Sequence, residues 1–225
     1  MSSDIEIEAK YLVHADPNWL QEQVIQFFHE NAFSADSGSL HLQNDVYYDT
    51  ADQALLRNGM ALRLRHKGGK RYITFKKALT KGASAQGRPW ERFERERETA
   101  DPEIEGADNK AFIKQCFSDF AGDNRFIAGG FEKIVTIRNK RQRYTFANAT
   151  SAYEAAFDNV TYISELTKKE CSERQLEIEK LTDETPVESM RVLIRNLERK
   201  LGDGIEPCWE SKYERACKMG EEFQQ

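Results

Sequence analysis

Ile5-Glu6-Ile7-Glu8-Ala9-Lys10, near the start of the chain, alternates apolar and charged residues. A period of two is typical of a β-strand with one packed face and one charged face. Taken alone, the stretch also fits an ordinary surface strand, because any sheet with one solvated face shows the same alternation. Whether the pattern recurs elsewhere in the chain therefore decides its meaning.

The alternation does recur, with charge of both signs. Three central segments place these charged residues in phase on one strand face: Arg63 and Arg65, then Lys76 after a Gly68-Gly69 hairpin turn, then Arg92, Glu94 and Glu96. Leu176-Glu177-Ile178-Glu179 repeats the acidic, apolar, acidic order of the opening strand. The chain therefore predicts several strands that share a charged face.

A further strand pair is predicted over residues 134–147 and 153–162. The first strand carries either Arg141 and Arg143 or Arg138 and Lys140 on the charged face, since a shift of one residue exchanges the two sets. The second strand carries Glu154 and Asp158.

Helices are predicted between and after the strands. The start signals are Asp16 before Pro17, Thr50 with Gln53 as a capping box, and Thr185 with Glu188 as a capping box, with Pro186 at the first helical position. Residues 98–130 predict a helical insertion, and residues 203–225 a C-terminal helix. We expect a single domain over residues 1–225.

Composition narrows the class of protein. The net charge of -5 does not indicate a nucleic-acid partner. The cysteines form no CxxC pair, so we expect neither a zinc site nor a disulfide framework. The sequence contains no signal peptide and no segment apolar enough to span a bilayer, which leads us to expect a cytoplasmic protein with no membrane partner.

The charged strand faces allow two interpretations. An open sheet would leave them as a broad surface, whereas a closed barrel would gather them around a polar lumen. Clustered carboxylates suit hard divalent cations, and clustered Arg and Lys suit phosphate oxygens, so a metal-complexed polyphosphate would satisfy both sets. The alternative is a polar barrel held by cross-strand salt bridges.

The ordered motifs resemble those of the CYTH superfamily, the triphosphate tunnel metalloenzymes. They are Glu6-x-Glu8-x-Lys10, Tyr47-Tyr48-Asp49-Thr50, Leu62-Arg63-Leu64-Arg65, Phe75-Lys76, Glu94-x-Glu96, Glu177-x-Glu179 and Ser211-Lys212-Tyr213. The resemblance implies an α+β fold, an eight-stranded antiparallel β-barrel with a charged lumen and helices packed outside. It also implies a triphosphate substrate and Mg²⁺ or Mn²⁺ as cofactor.

The resemblance carries roles over to individual residues. Metal binding is assigned to Glu6, Glu8, Glu177, Glu179 and Asp158, and substrate binding to Lys10, Arg63, Arg65, Lys76, Arg141, Arg143 and Lys212. Glu6, Glu8, Lys10 and Arg65 are expected to act in catalysis, and Glu94, Glu96 and Glu154 to line the tunnel as further acids. Bacterial triphosphatases of this superfamily often carry a helical, histidine-rich second domain, which we do not expect here because the sequence ends soon after Lys212.

Three classes of function follow from the resemblance. The first is a triphosphatase, with inorganic triphosphate as the leading substrate and thiamine triphosphate as another. The second is a class IV adenylyl cyclase, although the Tyr47-Tyr48-Asp49-Thr50 form resembles the triphosphatases more closely. The third is a non-catalytic polyphosphate- or nucleotide-binding protein, which would need the basic residues but not the paired acids.

Overall fold

The alternating segments form one antiparallel sheet that closes on itself. The structure is a computed structural model that describes residues 4–79, 89–121 and 130–222. Its strands are β1 (Ile5–Val13), β2 (Ser34–Ala35), β3 (Ser39–Asp49), β4 (Met60–Lys67), β5 (Lys70–Ala78), β6 (Trp90–Glu98), β7 (Glu132–Ala147), β8 (Ala152–Ser164), β9 (Glu170–Lys180) and β10 (Ile205–Pro207). The barrel order is β1-β6-β5-β4-β3-β7-β8-β9, and pairing of β9 with β1 closes it. The predicted eight-stranded barrel is confirmed.

Helices cover the outside of the barrel. They are α1 (Pro17–Glu30), α2 (Ala54–Arg57), α3 (Ala107–Cys116), α4 (Val187–Leu201) and α5 (Lys212–Glu222), with a π-helical turn at Phe117–Ala121 and a 3-10 turn at Gly202–Gly204. Leu20 of α1 and Met190 of α4 share a core with the outward-facing Ile178 of β9. Phe112 of α3 packs with Leu62 of β4 in a second core. These cores bury the apolar strand faces, which leaves the charged faces to the interior.

Helix α5 packs against one end of the barrel. The ring of Tyr213 stacks on that of Tyr47, with centroids 5.3 Å apart and planes 7° from parallel. Its hydroxyl donates a hydrogen bond of 2.9 Å to Asp49. This packing fixes the start of α5 and therefore the position of Lys212.

One helix start follows the sequence signal and two differ from it. Asp16 caps α1 by accepting hydrogen bonds from Asn18 and Trp19. The capping box predicted at Thr50 is wrong in detail, because Gln53 is left-handed at φ 54° and its side chain caps nothing. Instead, Asp49 accepts hydrogen bonds of 2.8 and 2.9 Å from the backbone N–H groups of α2. The hydroxyl of Thr50 does accept a hydrogen bond of 2.9 Å from the backbone N–H of Ala54, so Thr50 and the buried Asp49 carboxylate cap α2 together and only the reciprocal bond from Gln53 is missing.

The second difference lies before α4. Pro186 is the N-cap residue rather than the first helical residue, and no side chain of the described residues caps this helix. The hydroxyl of Thr185 accepts a hydrogen bond of 3.0 Å from the backbone N–H of Ala152 at the start of β8. The tertiary contact therefore competes with the local cap.

The short strands β2 and β10 were not predicted. They pair with β7 and β1, respectively, and are not among the eight strands of the barrel. Residues 205–207, expected to be part of a C-terminal helix, form β10, so α5 begins only at Lys212. Residues 122–129 of the predicted insertion lie outside the described residues. In the described ranges no helix combines the length and hydropathy needed to cross a membrane.

Candidate active site

The barrel interior contains a cavity of about 350 Å³. Charged side chains of both signs line it: Glu6, Lys10, Arg63, Arg65, Lys67, Lys76, Arg92, Glu94, Glu96, Arg141, Arg143, Glu154, Glu177, Glu179, Lys212 and Glu214. All the predicted site residues except Glu8 and Asp158 are in this set. The structure therefore brings together the two ends and the middle of the sequence.

The register of β7 decides between the two basic sets left open by the sequence. Arg141 and Arg143 line the cavity, whereas Arg138 and Lys140 are exposed on the outer face. Pairing with β8 places Arg141 directly opposite the buried Asp158, and this register turns Arg141 and Arg143 towards the cavity. Arg141 donates hydrogen bonds of 2.8 and 2.6 Å to that carboxylate and also contacts Glu177.

Glu177 is the carboxylate around which the basic residues gather. It forms ion pairs of 3.3 Å with Lys10 and 2.5 Å with Lys212, besides its contact with Arg141. Burial opposes its ionisation, but these cations hold the pKa of Glu177 well below its ordinary value. Lys212 comes from α5 rather than from the sheet, so this cluster joins the barrel to its terminal helix.

Glu8 and Asp158 are buried and are not among the residues that line the cavity. The Glu8 side chain is 1% exposed and pairs with Lys10 at 3.4 Å and Arg92 at 3.0 Å. Asp158 is 0% exposed and pairs with Lys212 at 2.9 Å as well as with Arg141. In this arrangement both carboxylates hold cations in place, and their assignment as metal ligands stays a prediction.

Glu179 differs from every other acid of the predicted set. It is partly buried and lines the cavity, yet its carboxylate forms no ion pair or hydrogen bond with the described residues. Burial and the neighbouring carboxylates of Glu6, Glu8 and Glu94 raise the pKa of Glu179 well above its ordinary value. A barrel built only from mutual salt bridges does not account for this unpaired acid.

The carboxylates of the cavity have the oxygen donors that a divalent cation prefers. In the described ranges, however, their side chains do not converge on one point. Within the described ranges, no group of three His, Cys, Asp or Glu side chains converges at ligand spacing. Glu6 instead contacts Arg92 and Lys76, and these cations, against the effect of burial, hold its pKa well below its ordinary value. The carboxylate oxygens around Glu179 are the donors that Mg²⁺ and Mn²⁺ prefer, and a cation there would relieve the repulsion on Glu179.

Arg63 and Arg65 of β4 are held in place by an acid that was not predicted from the sequence. Asp45 of β3 is paired with Arg65 across the strands and accepts two hydrogen bonds of 2.7 Å from its guanidinium. Arg63 also approaches Asp45, at 3.4 Å. Alternation with Tyr47 could have placed Asp45 on the charged face of β3, where an acid opposite Arg65 forms a cross-strand pair of opposite charges.

A pH-dependent stability follows from the burial of Asp45. Burial opposes its ionisation, but Arg65 and Arg63 lower the pKa of Asp45 to about 2, from an ordinary 3.8. Its stabilising effect is therefore complete above the ordinary pKa and is lost as pH falls through the folded-state pKa. Relative to Asp45→Asn, the free energy of unfolding of the wild type should fall by about 1 kcal/mol between about pH 6 and about pH 3, and by about 2 kcal/mol on full protonation. Urea titrations of both proteins measure it, and parallel pH curves would contradict it.

Arg92 is the second residue that was missed. It contacts Glu6 and Glu8 and lies over the ring of Trp90 at 5.3 Å, while Lys10 approaches the same ring at 5.4 Å. Its alternation with Glu94 and Glu96 placed it on the charged face, but no motif marked it. Arg92 fixes the orientation of both opening carboxylates.

The remaining acids of the predicted site contact basic residues of β4, β5 and β7. Glu94 pairs with Lys76 at 2.5 Å, and burial together with the charge of Glu6 raises the pKa of Glu94 to about 7. Glu96 accepts hydrogen bonds from Thr74 at 2.7 Å and Arg63 at 3.1 Å. Glu154 pairs with Arg143 at 3.1 Å. No histidine lines the cavity in the described part of the chain.

A closed antiparallel barrel with acids and bases facing one lumen defines the class of this protein. A family model described as "CYTH domain" matches residues 4–205. The chain therefore belongs to the CYTH family, as its motifs predicted. None of the curated proteins compared with it matches this sequence.

Solved structures share the fold at low sequence identity. HpAC1 from Hippeastrum, a candidate adenylyl cyclase with a dominant triphosphatase activity, is 20% identical, with 95% of this chain and 96% of that chain covered and a TM-score of 0.61. A protein from Bacillus halodurans assigned as an adenylate cyclase is 19% identical, with 96% and 98% covered and a TM-score of 0.59. The RNA triphosphatase domain of a mimivirus mRNA capping enzyme is 12% identical, with 90% and 91% covered and a TM-score of 0.50.

Proposed function

We propose that this protein hydrolyses the terminal phosphoanhydride of a triphosphate in a metal-dependent reaction, with inorganic triphosphate as its first substrate. The observation that carries the proposal is that an acid and several arginines line the same cavity. Glu179 has no cation partner among the described residues, and Arg63, Arg65, Arg141 and Arg143 line the same space. Triphosphatase activity in structurally similar proteins of the family supports the reaction class.

The basic residues would bind and orient the phosphate chain. Guanidinium groups donate paired hydrogen bonds to phosphate oxygens, and Asp45 and Asp158 hold two of these groups, Arg65 and Arg141, in fixed orientations. Preorganised cations need not reorient as charge develops on the leaving group, so they stabilise the transition state more than water would. Lys10, Lys76 and Lys212 add positive charge to the same cavity.

The acidic residues would hold the divalent cation. Glu6, Glu177 and Glu179 line the cavity and are the proposed ligands, and Glu8 and Asp158 can join them if their present salt bridges rearrange. When bound, the cation neutralises phosphate charge and lowers the pKa of a water molecule.

The reaction forms one bond and breaks one bond. A water oxygen attacks the terminal phosphorus in line, and the bridging P–O bond breaks so that pyrophosphate leaves with the bonding electrons. The proton of the attacking water passes to one of the carboxylates that line the cavity. Arg63 and Arg65 would stabilise the charge that moves onto the leaving oxygen.

Inorganic triphosphate is proposed before a nucleotide because few aromatic side chains line the cavity. The aromatic side chains that line it in the described ranges are Tyr47 and Trp90. Tyr47 stacks on Tyr213, and Trp90 is contacted by Lys10 and Arg92, so both rings are already engaged. A nucleobase would have to share one of these rings, whereas an inorganic chain needs only the charged side chains.

The test is a substrate panel assayed on the purified full chain. Inorganic triphosphate, thiamine triphosphate and ATP are each incubated with Mg²⁺, with Mn²⁺ and with chelator, and phosphate and cyclic AMP are measured. We expect phosphate release from inorganic triphosphate that the chelator abolishes and added metal restores. Cyclic AMP from ATP would overturn the proposal in favour of a cyclase, and tight binding without turnover would favour a non-catalytic binding protein.

A further inference from the structure

The first residues of β3 have a neighbouring strand on one side only. Strand β7 pairs with β3 from Ser39 onwards, whereas β4 pairs with it only from Gln43 and then turns back at Gly68-Gly69. Among the described residues, no other backbone hydrogen bond reaches Ser39–Leu42 on the side of β4. We call Ser39–Leu42 the β3 edge, because its backbone N–H and C=O groups on that side are a template for a further strand.

The outer side of the β3 edge is apolar. The side chains of Leu40 and Leu42 are 55% and 70% exposed. They point away from the cavity, since they alternate with His41, whose partner on β7 is the cavity-lining Arg141. Single apolar residues are common on any surface, but here two of them alternate along one strand edge. A strand that paired with the β3 edge would cover both with the side chains directly opposite.

Cations flank the β3 edge on both faces of the sheet. Lys140 of β7 is directly opposite Leu42 and is exposed, whereas Lys67, the last residue of β4, is opposite Gln43 and lines the cavity. Neither lysine forms an ion pair with a described residue. A strand on the β3 edge would continue the line of β4, and two residues along a strand span about 6.6 Å. Acidic side chains on such a strand would therefore lie close to unpaired positive charge.

The charges favour a different partner over a second copy of this chain. Pairing of two β3 edges would bring the leucines of both copies together, but it would also bring their lysines together, and like charges close across strands are destabilising. The sequence Ser39–Gln43 contains no acid that could offset this repulsion. A segment that carries both apolar and acidic side chains satisfies the leucines and the lysines at once.

We propose that the β3 edge binds an extended segment of a partner protein in which acidic and apolar side chains alternate. The segment adds a strand beside β3, with its apolar side chains on Leu40 and Leu42 and its acidic side chains on the inner face towards Lys67. Backbone hydrogen bonds supply the affinity in this mode of recognition, and the alternate side chains supply the specificity. The surface is separate from the proposed catalysis, so either can fail without the other.

A fluorescent peptide of about ten alternating glutamate and valine residues, titrated with the full chain, tests the proposal by anisotropy. We expect saturable binding of one peptide per chain and about tenfold weaker binding to Leu42→Ser, which removes an apolar contact. A peptide of alternating lysine and valine should not bind. The matched control is Leu166→Ser, because Leu166 is 84% exposed in the connection between β8 and β9, and this variant should bind like the wild type.

Two further measurements locate the peptide. Amide hydrogen exchange should slow within Ser39–Leu42 when the glutamate–valine peptide is added. Two peptides N-methylated at every second residue, in opposite phases, should differ, because only alternate N–H groups of a strand point to one neighbour. Binding should be lost in one phase and kept in the other. Circular dichroism shows that each variant is folded.

Several results would overturn the proposal. They are absence of peptide binding, equal binding to Leu42→Ser and Leu166→Ser, equal binding of the two methylated peptides, or protection from exchange only outside the β3 edge. A dimer of the wild type in sedimentation velocity that Leu42→Ser abolishes would assign the β3 edge to a second copy instead. Loss of triphosphate hydrolysis in the wild type would leave these results unaffected.

Discussion

Glu179→Gln is expected to lower kcat for triphosphate hydrolysis by about a hundredfold or more while leaving the fold as stable as the wild type, or more stable. The two effects have one cause. The Glu179 carboxylate lines the cavity, pairs with no cation of the described ranges and is repelled by Glu6, Glu8 and Glu94, so removing its charge relieves repulsion in the free protein. The same change removes a proposed cation ligand, and loss of one preorganised electrostatic group typically costs about 10²–10³ in kcat.

Two substitutions on the same strand provide the comparison. Glu170→Gln changes an exposed residue of β9 and should leave both activity and stability unchanged. Glu177→Gln should lower stability, since it breaks buried ion pairs with Lys10, Arg141 and Lys212, and loss of one partner of a buried pair costs about 3–5 kcal/mol. Steady-state kinetics at saturating metal and thermal unfolding measure the effects. Full activity of Glu179→Gln under these conditions would rule out its role as a ligand.

Arg65→Ala is expected to lower kcat/KM for inorganic triphosphate by about 10²–10³, through both a higher KM and a lower kcat. Arg65 lines the cavity and is held by two hydrogen bonds of 2.7 Å to Asp45. A cation fixed in this way contacts the phosphate chain before and during the reaction, so both parameters should change. Arg65→Lys keeps the charge but cannot reproduce the paired geometry, and its activity should fall between those of the wild type and Arg65→Ala.

Arg138→Ala is the matched control for the arginine experiment. Arg138 lies on the outer face of β7 and is exposed, so its loss removes the same charge from the other side of the barrel wall. Its activity should remain within about twofold of the wild type, since surface substitutions have small effects. A rise in KM with an unchanged kcat in Arg65→Ala would show that Arg65 only binds the substrate, and equal effects of the two substitutions would exclude a specific role.

The inward faces of most strands could be predicted from alternation alone. Glu6, Arg63 and Glu177 each lie between apolar neighbours, and a strand that buries those neighbours under helices must turn its charges to the other side. The hairpin was predicted from the Gly68-Gly69 pair for a similarly local reason, and the structure confirms it with φ values of 57° and 77°, which favour glycine.

Residues that are defined by a partner on another strand escaped prediction. Alternation can place Asp45 and Arg92 on the charged face, but their roles follow only from their partners, which are Arg65 for Asp45 and the pair Glu6 and Glu8 for Arg92. The register of β7 needed the pairing with β8, since its sequence carries basic residues on both faces. The cap predicted at Thr185 is wrong, because the Thr185 hydroxyl bonds to the backbone of Ala152 instead.

The sequence by itself determined which residues are charged, which strand face carries them and the order in which they follow along the chain, because alternation is a local property of a strand. Only the tertiary structure decided which charges are paired. Closure of β9 onto β1 and docking of α5 place Lys10, Arg141 and Lys212 around Glu177. They leave Glu179 without a charged partner in the part of the chain that the structure describes. Pairing depends on distances between distant segments, and these distances exist only once the barrel has closed.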